Sequence, residues 1–163
     1  MGCGYDNRFI SEFCEGNGRG IDCFPYKGLT QDQIQPDLIS FPFEDESFES
    51  VTFIANVNHI PKADRIIELK EAWRCLKPGG RIIVTMGNPI AEVLVHKLVW
   101  FYDRHLKTNV DMDTERGMRE DESYFLPYKE IKHLIKMAGF RLLKHKRFVT
   151  QWGLNSLFVG IKD

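Results

Sequence analysis

Between Lys62 and Met86 the chain sets out a helix, a stop and a strand in direct succession. Ile66, Leu69, Trp73 and Leu76 recur at intervals of three and four, with charges on the opposite side, which predicts an amphipathic helix over Lys62–Leu76 with that stripe buried. Lys77-Pro78-Gly79-Gly80 predicts a stop. Arg81–Met86 is then a compact apolar, β-branched run, the pattern of a strand buried on both faces, and Val51–Ala55 repeats that pattern upstream. Strands that alternate with helices call for a parallel sheet covered by helices, so the fold class is α/β.

The C-terminal end differs. A helix from about Pro127 to Ala138 closes on Gly139, a C′ glycine. Two strand-like segments follow, Arg141–Gln151 and Asn155–Ile161. The few residues around Trp152–Leu154 cannot make a parallel crossover, so these two strands must be antiparallel. Ala91–Leu106 reads as a helix rich in apolar and aromatic residues, followed by an acidic loop containing Asp111, Asp113, Glu115, Glu120, Asp121 and Glu122.

At the other end the chain opens on Met1-Gly2-Cys3-Gly4-Tyr5-Asp6, a glycine-rich turn of the nucleotide-binding type. Asn7 to about Glu15 reads as a short helix, with Asp6 or Asn7 as N-cap and Phe9, Ile10, Phe13 and Cys14 as its buried side. Arg19–Asp22 reads as a short strand ending at a carboxylate, and Asp37–Ile39 as another extended piece. At 163 residues the chain is one domain, 1–163, with a core of useful size.

Charge and cysteine usage narrow the function. A net charge of -1 gives no support for nucleic-acid binding, and no apolar run is long enough to cross a bilayer. There is no secretory leader pattern, and Cys3, Cys14, Cys23 and Cys75 form neither a C-x-x-C pair nor a zinc spacing, so thiols in a reducing cytoplasm are expected and no metal site is. The basic group Arg141, Lys144, Lys146 and Arg147 fits a solvated strand face better than a polyanion site.

Four segments together resemble a class I S-adenosylmethionine-dependent methyltransferase of type 11. Gly2-Cys3-Gly4 is similar to the family's glycine motif, and Gly20-Ile21-Asp22 to the end of its second strand. Asp37 to Glu49 is similar to its adenine-side loop and approach to the fourth strand, and Leu69–Thr85 to its fourth helix and fifth strand. The resemblance implies a Rossmann-like three-layer sandwich, mostly parallel, with a C-terminal antiparallel hairpin. It also implies S-adenosylmethionine as cofactor, a small-molecule methyl acceptor as partner, and methyl transfer by direct displacement.

On that resemblance, the cofactor-binding set is Gly2, Cys3, Gly4, Asp22, Cys23, Asp37, Leu38 and Asn56. Gly2 and Gly4 let backbone approach a ligand that a Cβ would obstruct. Asp22, twenty positions after Gly2, can accept both ribose hydroxyls, or stand as a solvated strand-end carboxylate. By resemblance Asp37 accepts from the adenine amine and the Leu38 backbone reads the ring edge; a turn aspartate after Pro36 is the alternative. Asn56 follows a strand end, where open α/β sheets bind ligands, and His59 is either a base facing substrate or a histidine bonded to local backbone. Residues 88–124 are a substrate-side insertion or lid, in which Trp100 and Tyr124 are the substrate-binding candidates or simply packing residues.

A dinucleotide enzyme shares the turn and the downstream acid. However, position 7 is Asn where its third glycine would stand, Asp6 would repel a pyrophosphate, and the terminal hairpin does not fit its sheet. By resemblance a first strand should precede Gly2, and only Met1 does so; the expectation is an incomplete gene start, with self-association across the gap as a second route. A truncated or degenerate domain that binds the cofactor poorly and serves as a partner-binding module is the competing function.

Overall fold

The computed structural model describes residues 1–88, 97, 101, 125–149 and 153–163. Its elements in chain order are α1 (Arg8–Phe13), β1 (Phe48–Ile54), α2 (Arg65–Cys75), β2 (Leu76–Gly87), α3 (Tyr128–Met137), β3 (Arg141–Arg147) and β4 (Asn155–Ile161). The four strands form one sheet in the order β1-β2-β4-β3. β1 runs parallel to β2, with Ser50 beside Arg81 and Ile54 beside Thr85. β4 is antiparallel to β2 and to β3, so the terminal hairpin forms as its short link requires. The α/β class holds, and the described sheet is mixed: one parallel pair and two antiparallel ones.

Burial alternates along the strands. Ile82, Val84 and Met86 of β2 and Ser156 and Phe158 of β4 are sealed on one face, whereas Ile83, Thr85, Leu157 and Val159 on the other are half-buried. The expectation of burial on both faces is therefore corrected for β2, and for β1, where Phe53 alone is sealed. Ala55 follows in the left-handed region (φ 49) and ends β1.

The stripe of α2 is also turned from its expected position. Its inward side is Arg65, Glu68, Leu69, Ala72 and Cys75, while Trp73 is exposed at the rim with Lys162 Nζ over its ring at 4.0 Å. Two charged residues thus take inward places that a count of apolar spacing assigns to the surface. Arg65 is satisfied in part by the Ile60 carbonyl (3.0 Å) and by Glu130 of α3 (3.1 Å), a contact that ties the two helices together.

Lys77-Pro78-Gly79-Gly80 stops the helix but lies inside β2. Gly79 takes φ 78, and a register shift in the β1–β2 pairing absorbs the irregularity. The Gly79 N–H donates to the Lys162 carbonyl and the Lys162 N–H to the Gly80 carbonyl, so the last residues of the chain hold this corner.

The N-terminal segment is less regular. Arg19–Asp22 forms only an isolated parallel bridge, Asp22 to Ile34, and Asp37–Ile39 is not a strand. The N-cap of α1 is Asn7, itself left-handed (φ 47), with no side-chain cap bond; Asp6 is also left-handed (φ 55). Of the expected buried side, Phe9, Ile10 and Cys14 are half-buried and Phe13 is exposed. A two-turn helix has too few contacts to bury a stripe on its own.

Candidate functional site

The glycine turn is held from both sides. The Met1 ammonium donates to the Thr52 carbonyl of β1 at 2.8 Å, and the Cys3 N–H donates to the Ile21 carbonyl at 3.3 Å. Gly2 and Gly4 both lie in the left-handed region (φ 63 and 62). At Gly2 a Cβ would fall 2.6 Å from the Asn56 carboxamide, so the missing side chain makes room for Asn56. At Gly4 nothing stands within 4 Å of that position, leaving a bare stretch of backbone.

Asp22 is the anchor of the turn. One carboxylate oxygen accepts the Gly4 N–H (2.9 Å) and the other the Phe24 N–H (3.0 Å). The residue is 5% exposed. Its main chain is fixed as well, by Asp22 N–H to the Gln33 carbonyl and Gln35 N–H to the Asp22 carbonyl. Because an ionised carboxylate has about four acceptor positions, two N–H bonds leave capacity for hydroxyl donors. Burial, with Asp22 close by, pushes the Cys3 thiol above its ordinary range.

Of the candidate residues, the structure gathers Gly2, Cys3, Gly4, Asp22 and Asn56 around one turn. Cys23 is exposed directly after Asp22. Asp37 is exposed and accepts its own Ile39 N–H at 2.9 Å, the turn role open to any such aspartate, while Leu38 is sealed in the core beside Phe41. His59 is exposed, and its N–H donates to the Asn56 carbonyl at 2.9 Å. Trp100 and Tyr124 lie outside the described residues.

Two features escaped the sequence reading. The first is a clamp. Arg74 donates to the Phe41 and Phe43 carbonyls and pairs with Glu71 and Asp45, while Glu71 accepts the Phe41 N–H. It fixes the loop after Asp37 onto α2. The second is Glu68, 5% exposed, with one carboxylate oxygen lacking a partner. Burial, reinforced by Asp64 and Asp37 and opposed by the Met1 ammonium, pushes its carboxyl up to about 8. Only an i, i+3, i+7 count including charged residues (Arg65, Glu68, Ala72) could have placed it inward. Among the described residues no group of His, Cys, Asp and Glu is placed to hold a metal ion, and no helix is long and apolar enough to cross a membrane.

Residues 11–84 match the family model described as a methyltransferase domain, type 11. The backbone superimposes on a SAM-dependent methyltransferase from Methanosarcina mazei with a TM-score of 0.54, at 20% identity, over 77% of this chain and 64% of that one. Residues 11–84 are thus similar to the type 11 methyltransferases, and the fold is that of a SAM-dependent methyltransferase.

Its curated relatives include a demethylmenaquinone methyltransferase of Staphylococcus haemolyticus, 30% identical over 136 residues, covering 80% of this chain and 55% of the relative. Another is a ubiquinone/menaquinone biosynthesis C-methyltransferase of Bartonella tribocorum, 27% identical over 121 residues, covering 71% and 46%. The chain thus spans about half the length of these relatives. The family's cofactor is S-adenosylmethionine. The bare backbone over Gly4 and the Asp22 carboxylate beside it are what such a ligand's ribose and carboxylate ends would meet, so the residues present fit the group.

Proposed function

We propose that this chain binds S-adenosylmethionine across Gly2–Gly4 and Asp22 and directs methyl transfer to a small-molecule acceptor. The observation that carries the reading is the Asp22 carboxylate, buried and prepositioned by the Gly4 and Phe24 N–H groups beside an open glycine turn. Fixed acceptors lower the cost of ordering a ligand's hydroxyls, because the side chain has no freedom left to lose. When bound, the cofactor supplies an electrophilic methyl group already joined to a sulfonium leaving group. The residues of this chain then have to bind, align and exclude water; no acid or base is forced by the chemistry.

Asp22 holds the ribose in this reading, Asn56 faces the turn from the end of β1, and Cys23, Asp37 and Leu38 form the adenine side. His59 stands on the acceptor side in this reading, and Trp100 and Tyr124 of the 88–124 segment are its candidate acceptor-binding residues. The relatives' names point to a quinone-class acceptor methylated at carbon. A cytoplasmic location accords with four thiols and no disulfide.

Calorimetric titration with S-adenosylhomocysteine tests the reading. Micromolar binding, weakened at least about tenfold by Asp22→Ala, is the expected outcome. Absence of any binding at millimolar ligand overturns it in favour of a partner-binding module.

A further inference from the structure

Charge is unevenly shared along the chain. Residues 127–149 carry seven lysines and arginines against one acid, Glu130, while the whole chain has a net charge of -1, so the rest of it is acidic. Sequence alone assigns the β3 part of this group to a solvated strand face. The structure adds a second row beside it. Lys129, Lys132 and Lys136 follow one another at three and four residues on α3, which makes them one stripe, and Lys132 is also four residues from Tyr128. Tyr128 meets the His145 ring at 5.2 Å and has the Arg147 guanidinium over its own ring at 5.6 Å. Lys132 stands close enough to His145 to join burial and Arg147 in holding the imidazole below its ordinary range. The α3 stripe and the α3 side of β3 are therefore one basic surface. Lys144 and Lys146, beside Val159 and Leu157, continue it around this edge strand. Arg141 pairs with Asp163 and Glu130 with Arg65, but among the described residues no ion pair involves the three α3 lysines, Lys144, Lys146 or Arg147.

Charges on an edge strand commonly guard it against pairing with another strand. Two observations go beyond guarding. The α3 stripe has no strand edge to protect, and apolar side chains stand within the basic surface. Leu143 is the extra residue of the bulge between Leu142 and Lys144 and is exposed at the sheet edge. Val149, two residues after Arg147, is 86% exposed. We propose that α3 and β3 form a docking face for an anionic lipid bilayer, with the cations on the headgroups and Leu143 and Val149 at the interface. Unpaired cations draw such a face to anionic lipid, and apolar side chains among them gain burial on contact. A nucleic acid would use the charges and leave Leu143 and Val149 without a role. The inference goes beyond methyl transfer and does not depend on it.

The test is co-sedimentation of the intact chain at low ionic strength with vesicles of equal parts phosphatidylglycerol and phosphatidylcholine, and with vesicles of phosphatidylcholine alone. The expected result is binding to the first and none to the second. Lys132→Gln and Lys144→Gln should each weaken binding by about fivefold, and Leu143→Ser should weaken it with the salt dependence unchanged. Lys62→Gln, outside the face, should leave it as it was. No binding to the anionic vesicles, equal binding to both kinds, or an equal loss with Lys62→Gln would overturn the proposal. Tighter binding of a DNA duplex, indifferent to Leu143→Ser, would overturn it in favour of a nucleic acid. S-adenosylhomocysteine binding is read separately, so failure here leaves the methyltransferase reading standing.

Discussion

The half of the molecule built from α2, β2, α3 and β4 and the half that carries the glycine turn obey different rules. In the first, Leu69, Leu76, Ile82, Met86, Ile131, Ile135 and Phe158 are fully sealed. In residues 1–47 the buried apolar side chains are Ile21, Leu38 and Phe41, while Tyr5, Phe13 and Phe24 are mostly exposed. Asp6, Asn7, Glu15 and Glu46 adopt left-handed backbone there. One half is held by side-chain packing, the other by backbone hydrogen bonds and two carboxylate anchors, Asp22 and Glu71. The glycine turn belongs to the second, where fewer apolar side chains are buried and a bound ligand would add proportionally more.

Deep substitution in the packed half should break the contrast most strongly. Phe158 is sealed, stacks on His145 at 4.5 Å and meets Tyr128 edge-on at 5.6 Å. Phe158→Ala should cost about 3–5 kcal/mol in urea unfolding, through lost burial plus the cavity left behind. A loss below about 1 kcal/mol would mean that the hairpin does not anchor the core.

The pH dependence of Glu68 sharpens the comparison at the boundary between the halves. Its carboxyl is held protonated up to about 8 in the folded chain, whereas the unfolded chain loses that proton near its ordinary 4.5. Between those values the folded state binds the extra proton, so this group's contribution falls as pH rises through the window. Glu68→Gln should therefore match the parent near pH 5 and exceed it at pH 8 by on the order of 1–3 kcal/mol. Parallel stability curves from pH 5 to 8 would show that Glu68 titrates normally.

The same contrast explains what was legible in the sequence. α2, β2, α3 and the terminal hairpin were readable because periodicity reports burial, and burial is what forms them. Lys77-Pro78-Gly79-Gly80 was read correctly as the end of a helix but not as part of a strand, since its pairing with Lys162 is non-local. The inward turn of α2 was hidden because Arg65 and Glu68 break the apolar count. At the site, Gly2, Gly4 and Asp22 stand out in the sequence by spacing and resemblance, and the structure joins Gly4 to Asp22 through the Gly4 N–H. The Asn56 carboxamide over Gly2 and the Arg74 clamp were not, because each is a contact between residues far apart in the chain.

The smallest effect is expected where the sequence reading placed a buried residue and the structure does not. Phe13 is expected on the inner side of α1, yet it is 72% exposed, with Phe9 beside it at 5.8 Å between ring centres. An exposed aromatic has little burial to lose, and one tilted pair contributes about 0.5–1.5 kcal/mol at most. Phe13→Ser should thus cost no more than about 1.5 kcal/mol, the ceiling set by that ring pair. A cost of about 2 kcal/mol or more would place Phe13 against the core in solution, and α1 would then share the packing rule of the other half.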